Sequence, residues 1–182
     1  MKKDLTNSNI DRQNILNNRY AIDEIQKATN IIGINFEEKV RFTKEMVADF
    51  FEVDIRTIER YVADFSDELK QNGYEIIKGK RLKQFKEQIK ESNAPDINVG
   101  SKTTQLAIFD FRSFLNIGML LVESENARVL RQAILDIVID TINQKTGGAT
   151  KYINRQGTIT WNNCVVIKWG IWLWWRNKIE NI

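Results

Sequence analysis

One stretch, residues 42–65 (FTKEMVADFFEVDIRTIERYVADF), constrains the chain more than any other. Met46, Val47, Phe50 and Phe51 share one face of a helix of about two turns, while Ile58, Tyr61, Val62, Phe65 and Leu69 recur at spacings of three and four. Thr43 and Asp54 stand where N-caps are needed, each with a side-chain oxygen that accepts a backbone N–H of the first turn. Glu52 and Val53 alone remain for the connection, and so short a link forces two helices to cross steeply and to pack through Ala48, Val53 and Ile58. Arg56, Thr57, Glu59 and Arg60 are left on the outward side of the second helix.

This pattern resembles the helix-turn-helix family residue by residue. Small Ala48 lies at the helix contact, Val47, Phe51, Val53, Ile58 and Tyr61 take the apolar positions, and the RTIER run opens the recognition helix. Glu52 stands where the family carries its turn glycine. A left-handed conformation costs a non-glycine residue about 1 to 2 kcal/mol, so either the turn is built differently or the strain is tolerated. An ordinary helical hairpin within another core is the alternative reading.

The flanks extend the resemblance. In EKVRF, Val40 and Phe42 alternate with Lys39 and Arg41, the pattern of a short half-buried strand. After Asn72 and Gly73, a helix-stopping pair, YEIIK and RLKQF flank Gly79 and predict a two-stranded hairpin. The order helix, strand, helix, helix, strand, strand resembles a winged helix-turn-helix domain over residues 15–90, in which EKVRF pairs with the wing. Between residues 70 and 90 seven basic residues face Glu75 and Glu87, a local excess suited to a polyanion although the whole chain carries only +3. Lys78, Lys80 and Arg81 would occupy the wing tip and contact phosphates or a minor groove, unless the tip is a solvated turn.

Residues 1–14 are polar and expected to be disordered. The run ILNNRYAIDEIQKAT places Leu16, Tyr20, Ile22, Ile25 and Ala28 on an imperfect helical stripe that ends near Gly33. Residues 91–102 lack an apolar period and hold the single proline, Pro95, and a domain boundary is expected there. The following segment, 103–154, opens with a strand in TTQLAIF. Asp110 then caps the helix FRSFLNIGMLL, and Ser124 caps a long one, ENARVLRQAILDIVIDTINQK, which Gly147 and Gly148 stop. The long helix carries two apolar stripes, Ala127, Leu130, Ile134, Val138 and Ile142, and Val129, Ala133, Ile137 and Ile139. It needs cover on more than one side, from a homodimer partner or from this chain.

Residues 120–152 resemble the end of BRO-N and KilA-N type domains of phage antirepressor-like regulators. The shared elements are Ser124 and Ala127, Leu130 with Arg131, the Asp136–Ile137–Val138 continuation, and Thr146, Gly147 and Gly148 before Tyr152. Ala133 or Ile134 stands where those domains carry an aromatic residue. The layout as a whole resembles DNA-binding proteins of the RhuM virulence type found on mobile elements, for which the implied activity is binding and not catalysis. The expected fold is therefore mainly α with a small β wing: a winged helix-turn-helix domain followed by a mostly helical α+β domain.

Residues 155–182 break with the rest. All five tryptophans (Trp161, Trp169, Trp172, Trp174 and Trp175) lie there, in a run too short for a membrane span and interrupted by Lys168. Interfacial anchoring and base stacking are conceivable roles. The abrupt compositional change points first to a frameshift or truncation product.

Catalytic chemistry finds no support. Histidine is absent and Cys164 is the single cysteine, so disulfide frameworks, Cys/His zinc sites and histidine acid–base chemistry are excluded. No glycine-rich nucleotide loop is present. The acid pairs Glu123–Glu125 and Asp136–Asp140 could in principle serve acid–base chemistry or a divalent ion, but Asp136 and Asp140, one helical turn apart without a third ligand, read as a solvated helix face. No cofactor or metal is expected, and the polar start predicts a cytoplasmic protein without a membrane segment. The resulting expectation is a double-stranded DNA-binding transcriptional regulator, not an enzyme. Thr43 and Lys44 would hold a phosphate at a helix N-terminus, Arg56, Thr57, Glu59 and Arg60 would face the major groove, and Lys78, Lys80 and Arg81 would add backbone contacts. The rival is an antitoxin-like or antirepressor-like protein that binds another protein through residues 103–154, with the helix-turn-helix as scaffold.

Overall fold

In the computed structural model, residues 5–29, 31–91 and 103–145 are described. In chain order they form α1 (Asn9–Asn17), α2 (Arg19–Thr29), β1 (Ile34–Phe36), β2 (Lys39–Thr43), α3 (Lys44–Phe51), α4 (Ile55–Asp64), α5 (Ser66–Gln71), β3 (Tyr74–Lys78), α6 (Gly79–Glu91), β4 (Gln105–Asp110), α7 (Phe111–Leu120) and α8 (Glu125–Lys145). The result is a mainly helical α+β fold around one small sheet. The Trp-rich run and the glycine pair after α8 lie outside the described residues.

The sheet is antiparallel throughout, in the order β1-β2-β4-β3. Its inner position β4 decides the architecture, because Phe109 lies opposite both Phe42 of β2 and Tyr74 of β3. The expected boundary at residues 91–102 therefore does not separate two cores among the described residues. Phe42, Val47, Phe51 and Ile58 share one apolar cluster with Phe109, Phe114, Leu120, Leu130 and Ile134.

The expected wing is also corrected. YEIIK is a strand, but RLKQF lies in a helix, and β3 takes its partner from β4. Leu82, Phe85 and Ile89 are spaced by three and four, which unites them on one helical face and would scatter them across two faces of a strand. That face of α6 packs on the sheet through a second cluster with Ile34, Phe36, Ile77, Leu106 and Ile108. Gly79 does turn the chain, at φ +55°, but it turns it into α6.

With α6 on one face and the remaining helices on the other, both faces of the inner strands are covered. Hence Arg41, expected to point to water, is buried and meets Glu75 at 3.0 Å. Arg81 joins the same cluster, donating to Glu75 (2.8 Å) and, through Nε, to Glu37 (2.7 Å), with its guanidinium over the Phe36 ring. These hydrogen bonds hold the carboxyls of Glu37 and Glu75 below their ordinary values.

The start of the chain is ordered further than its composition predicts. Ser8 caps α1 by accepting from Asp11 N–H (3.3 Å), and Leu5 and Arg12 are buried. The single helix expected over the next stretch is divided at Asn18, whose extended backbone ends α1 while its Oδ1 accepts from Ala21 N–H at 3.2 Å and opens α2. Gly73, at φ +95°, accepts the Asp110 N–H at its carbonyl, and a β-carbon there would lie 1.9 Å from Asp110 Oδ2.

The α3–α4 connection takes the strained alternative. Glu52 sits in the left-handed region at φ 52°, ψ 46°, with its N–H directed to the carbonyls of Ala48 and Asp49. Its side chain is exposed. Glu52→Gly is thus expected to stabilise the fold by roughly 1 kcal/mol, by removing a β-carbon from a conformation that disfavours it. In urea titration the midpoint should rise with an unchanged slope; an unchanged or lower midpoint would show that the turn is not strained.

Candidate nucleic-acid interface

Helix α4 begins as its sequence dictates. Asp54 adopts an extended backbone and accepts the Arg56 N–H at 2.7 Å, so the first turn starts with a satisfied donor. Ile58 is fully buried and Tyr61 nearly so, and this inner stripe holds α4 against α3 and α7. Arg56, Glu59 and Arg60 are exposed and Thr57 is half-buried, an outer face in keeping with the helical period.

Two of the four outer residues are already engaged. Lys44 Nζ meets Glu59 Oε1 at 2.5 Å, which ties the start of α3 to the middle of α4. Arg60 donates to Glu123, from the loop between α7 and α8, and its guanidinium lies 5.2 Å above the Tyr61 ring. Tyr61 Oη donates to the other oxygen of the same carboxylate at 2.8 Å and accepts from Val122 N–H at 3.3 Å. Burial pushes the Tyr61 hydroxyl up, and the hydrogen bond to Glu123 adds to the rise. Burial alone would raise the Glu123 carboxyl as well, yet the hydrogen bonds from Tyr61 and Arg60 outweigh it and leave the group below its ordinary value. At neutral pH this is an ionised carboxylate with two donors from the outer helix.

The α7–α8 loop also braces the neighbouring turn. Ser124 Oγ accepts Ala127 N–H at 3.0 Å, as expected of an N-cap, and donates to the Phe51 carbonyl at 2.6 Å. Asn126 donates to the Phe50 carbonyl at 2.9 Å. Carbonyls at the C-terminus of α3, which helical geometry leaves without partners, are thereby satisfied from a segment more than seventy positions away.

The other expected contacts divide. Thr43 is fully buried at the end of β2, and its hydroxyl accepts Met46 N–H at 3.3 Å; it caps α3 and is closed to an external phosphate. Arg81 is turned to Glu37 and Glu75, away from the role of a projecting wing cation. Lys78 and Lys80 are exposed at the β3–α6 junction, and with Arg56 they form no ion pair with a carboxylate among the described residues. Glu123 was legible only as half of an acid pair with Glu125. Glu125 instead pairs along its own helix with Arg128, and nothing in the spacing links Glu123 to an arginine 63 positions earlier.

No group of three or more His, Cys, Asp or Glu side chains able to hold a metal occurs among the described residues, and no described helix is long and apolar enough to cross a membrane. Comparison with family models, with curated proteins and with solved structures returns no match for this chain.

Proposed function

We propose that the chain is a sequence-specific double-stranded DNA-binding protein, a transcriptional regulator of the kind carried by phages and mobile elements. The observation that carries this reading is the α3–α4 pair, joined through a left-handed Glu52 and presenting Arg56, Thr57, Glu59 and Arg60 on one outer face. Arginine on such a face reads guanine O6 and N7 by paired hydrogen bonds, and Glu59 accepts from cytosine N4, each good pair giving about 1 to 3 kcal/mol of discrimination. Lys44, Lys78 and Lys80 supply phosphate contacts. With the expected wing replaced by β3 and α6, winged geometry is no part of the proposal.

Sequencing of DNA fragments bound by the full-length protein would identify the operator, and the absence of any enriched sequence would remove the reading. With the operator known, Arg56→Ala should weaken operator binding about tenfold and non-specific binding far less. Lys80→Ala should weaken both alike and reduce the salt slope by about one unit. Equal effects of the two substitutions would contradict the assigned roles. A homodimer would suit a two-fold operator; a concentration series in analytical ultracentrifugation that shows monomer throughout would exclude it.

One observation favours a second reading, in which the helix pair is scaffold for protein recognition by an antitoxin-like or antirepressor-like protein. Lys44 and Arg60 are neutralised within the fold, by Glu59 and Glu123, which lowers the positive charge that the helix pair presents to DNA. Retention on DNA that is insensitive to salt, or no retention at all, would favour this alternative.

A further inference from the structure

We infer that Glu123 is the residue that determines how Arg60 is used: it holds the guanidinium ready for a base and withdraws its charge from non-specific phosphate contact. The inference rests on the DNA-binding reading above. A free arginine on the surface of α4 would sample many rotamers and find the nearest phosphate, a contact that adds affinity without sequence information. Arg60 is not free in this sense. One terminal nitrogen is bound by the Glu123 carboxylate and the guanidinium carbon lies over the Tyr61 ring, 5.2 Å from its centroid, so the guanidinium is confined while its remaining N–H donors stay unused by Glu123. The carboxylate is itself fixed by Tyr61 Oη at 2.8 Å, and Tyr61 by Val122 N–H and by burial in the core. The chain of contacts runs from the α7–α8 loop to the outer face of α4. It makes Glu123 a positioning residue supplied from outside the helix pair.

A carboxylate at this place has two effects of one sign for discrimination. It neutralises the Arg60 charge that would otherwise draw phosphate non-specifically, and it fixes the direction from which a base edge can be met. Removing the charge while keeping the shape should therefore help non-specific binding and harm specific reading.

The test uses the full chain with Glu123→Gln, compared with the wild type on the enriched operator and on unrelated DNA across a salt series. Non-specific affinity is expected to rise about threefold with a slope steeper by about one unit, and the ratio of specific to non-specific affinity to fall about tenfold. In an Arg60→Ala background the same substitution should change neither quantity, an outcome that general loss of negative charge or loosening of the loop would not produce. Thermal melts of each variant separate these effects from loss of fold, and Tyr61→Phe, which removes one donor to Glu123, is expected to give a weaker change in the same direction. If Glu123→Gln matches a discriminating wild type in both measures, or acts equally without Arg60, the role of Glu123 is overturned while DNA reading stands. If the wild type itself shows no sequence preference, DNA reading fails and the role falls with it.

Discussion

Phe114→Ala is expected to lower the free energy of unfolding by about 4 kcal/mol, the range in which removal of a buried phenyl ring combines lost transfer energy with a cavity. Phe114 is fully buried in α7, and its ring centroid lies 4.6 Å from that of Phe42, 5.0 Å from Phe50, 5.2 Å from Phe51 and 6.4 Å from Phe111. Such aromatic pairs contribute beyond their area. The site cannot collapse easily, because the rings around it come from β2, α3 and α7, each held by its own backbone pairing. Chemical denaturation should show the loss as a lower midpoint, and a change below about 1 kcal/mol would mean that Phe114 does not bridge these elements. The same geometry predicts that a chain ended after residue 90 fails to fold cooperatively. It would lack β4, the inner strand between β2 and β3, and would expose Phe42, Phe51 and Ile58. A sharp melt from that fragment would show that the helix pair is an independent unit.

The second large effect is expected at Arg12. Its Nε and Nη2 donate to the two carboxylate oxygens of Glu68 at 2.8 Å each, and its Nη1 donates to the Leu5 carbonyl, also at 2.8 Å. The Arg12 side chain is 3% exposed and that of Glu68 10% exposed. Arg12→Ala should cost about 3 kcal/mol, less for its own lost attraction than for the carboxylate left buried without a counter-charge. Glu68→Gln in the Arg12→Ala background should restore part of the loss, since the group left behind is then neutral.

The pair also sets a pH dependence. Burial alone would raise the Glu68 carboxyl, but the hydrogen bonds from Arg12 and Asn9 overcome it, and the group lies below its ordinary 4.5 in the folded protein. A carboxyl depressed by folding contributes stability that is fully present above the unfolded value and is lost as pH falls through the folded one. Stability should therefore decline with acid from about pH 4.5 downward. The decline should be shallower in the double variant; equal slopes would remove Glu68 from the acid response.

Local features were legible where the interaction is local. Thr43, Asp54, Asp110 and Ser124 cap the helices that their spacing announces, and the 21-residue α8 runs over the stretch expected from its two stripes. An N-cap and its donor are two or three residues apart, so the sequence contains both partners. The β1–β2 hairpin escaped notice for a related reason. Its two-residue turn is Glu37–Glu38, both at positive φ, where Asn-Gly is the usual signal. Ile34 and Phe36 alternate as a strand should, but three residues without a turn signal announce little.

What failed to be legible depends on partners distant along the chain. Polar composition marks residues 1–14 as disordered, yet Arg12 is buried because Glu68 receives it. Alternation turns Arg41 outward, yet α6 covers that face and Glu75 meets the charge. YEIIK beside a glycine and a second mixed run reads as a hairpin, whereas Leu82, Phe85 and Ile89 keep a helical spacing because they pack together on α6. The basic excess between residues 70 and 90 was visible as a count, but whether each cation faces water or a carboxylate was not. Arg81 is occupied and Lys80 is exposed, one position apart.

By itself, then, the sequence determined the helix pair at residues 44–64, its caps, the two-residue link at Glu52 and Val53 and the outer face of α4, because each depends on residues within a few positions of one another. Tertiary structure alone decided that β4 completes the sheet between β2 and β3, that Thr43 is closed to ligands, and that Glu123 reaches Arg60 and Tyr61 from a loop 62 or 63 positions away. The physical reason is common to all three. Burial and charge pairing are properties of the folded neighbourhood, and residues that become neighbours through a sheet or a helix crossing leave no fixed spacing in the chain.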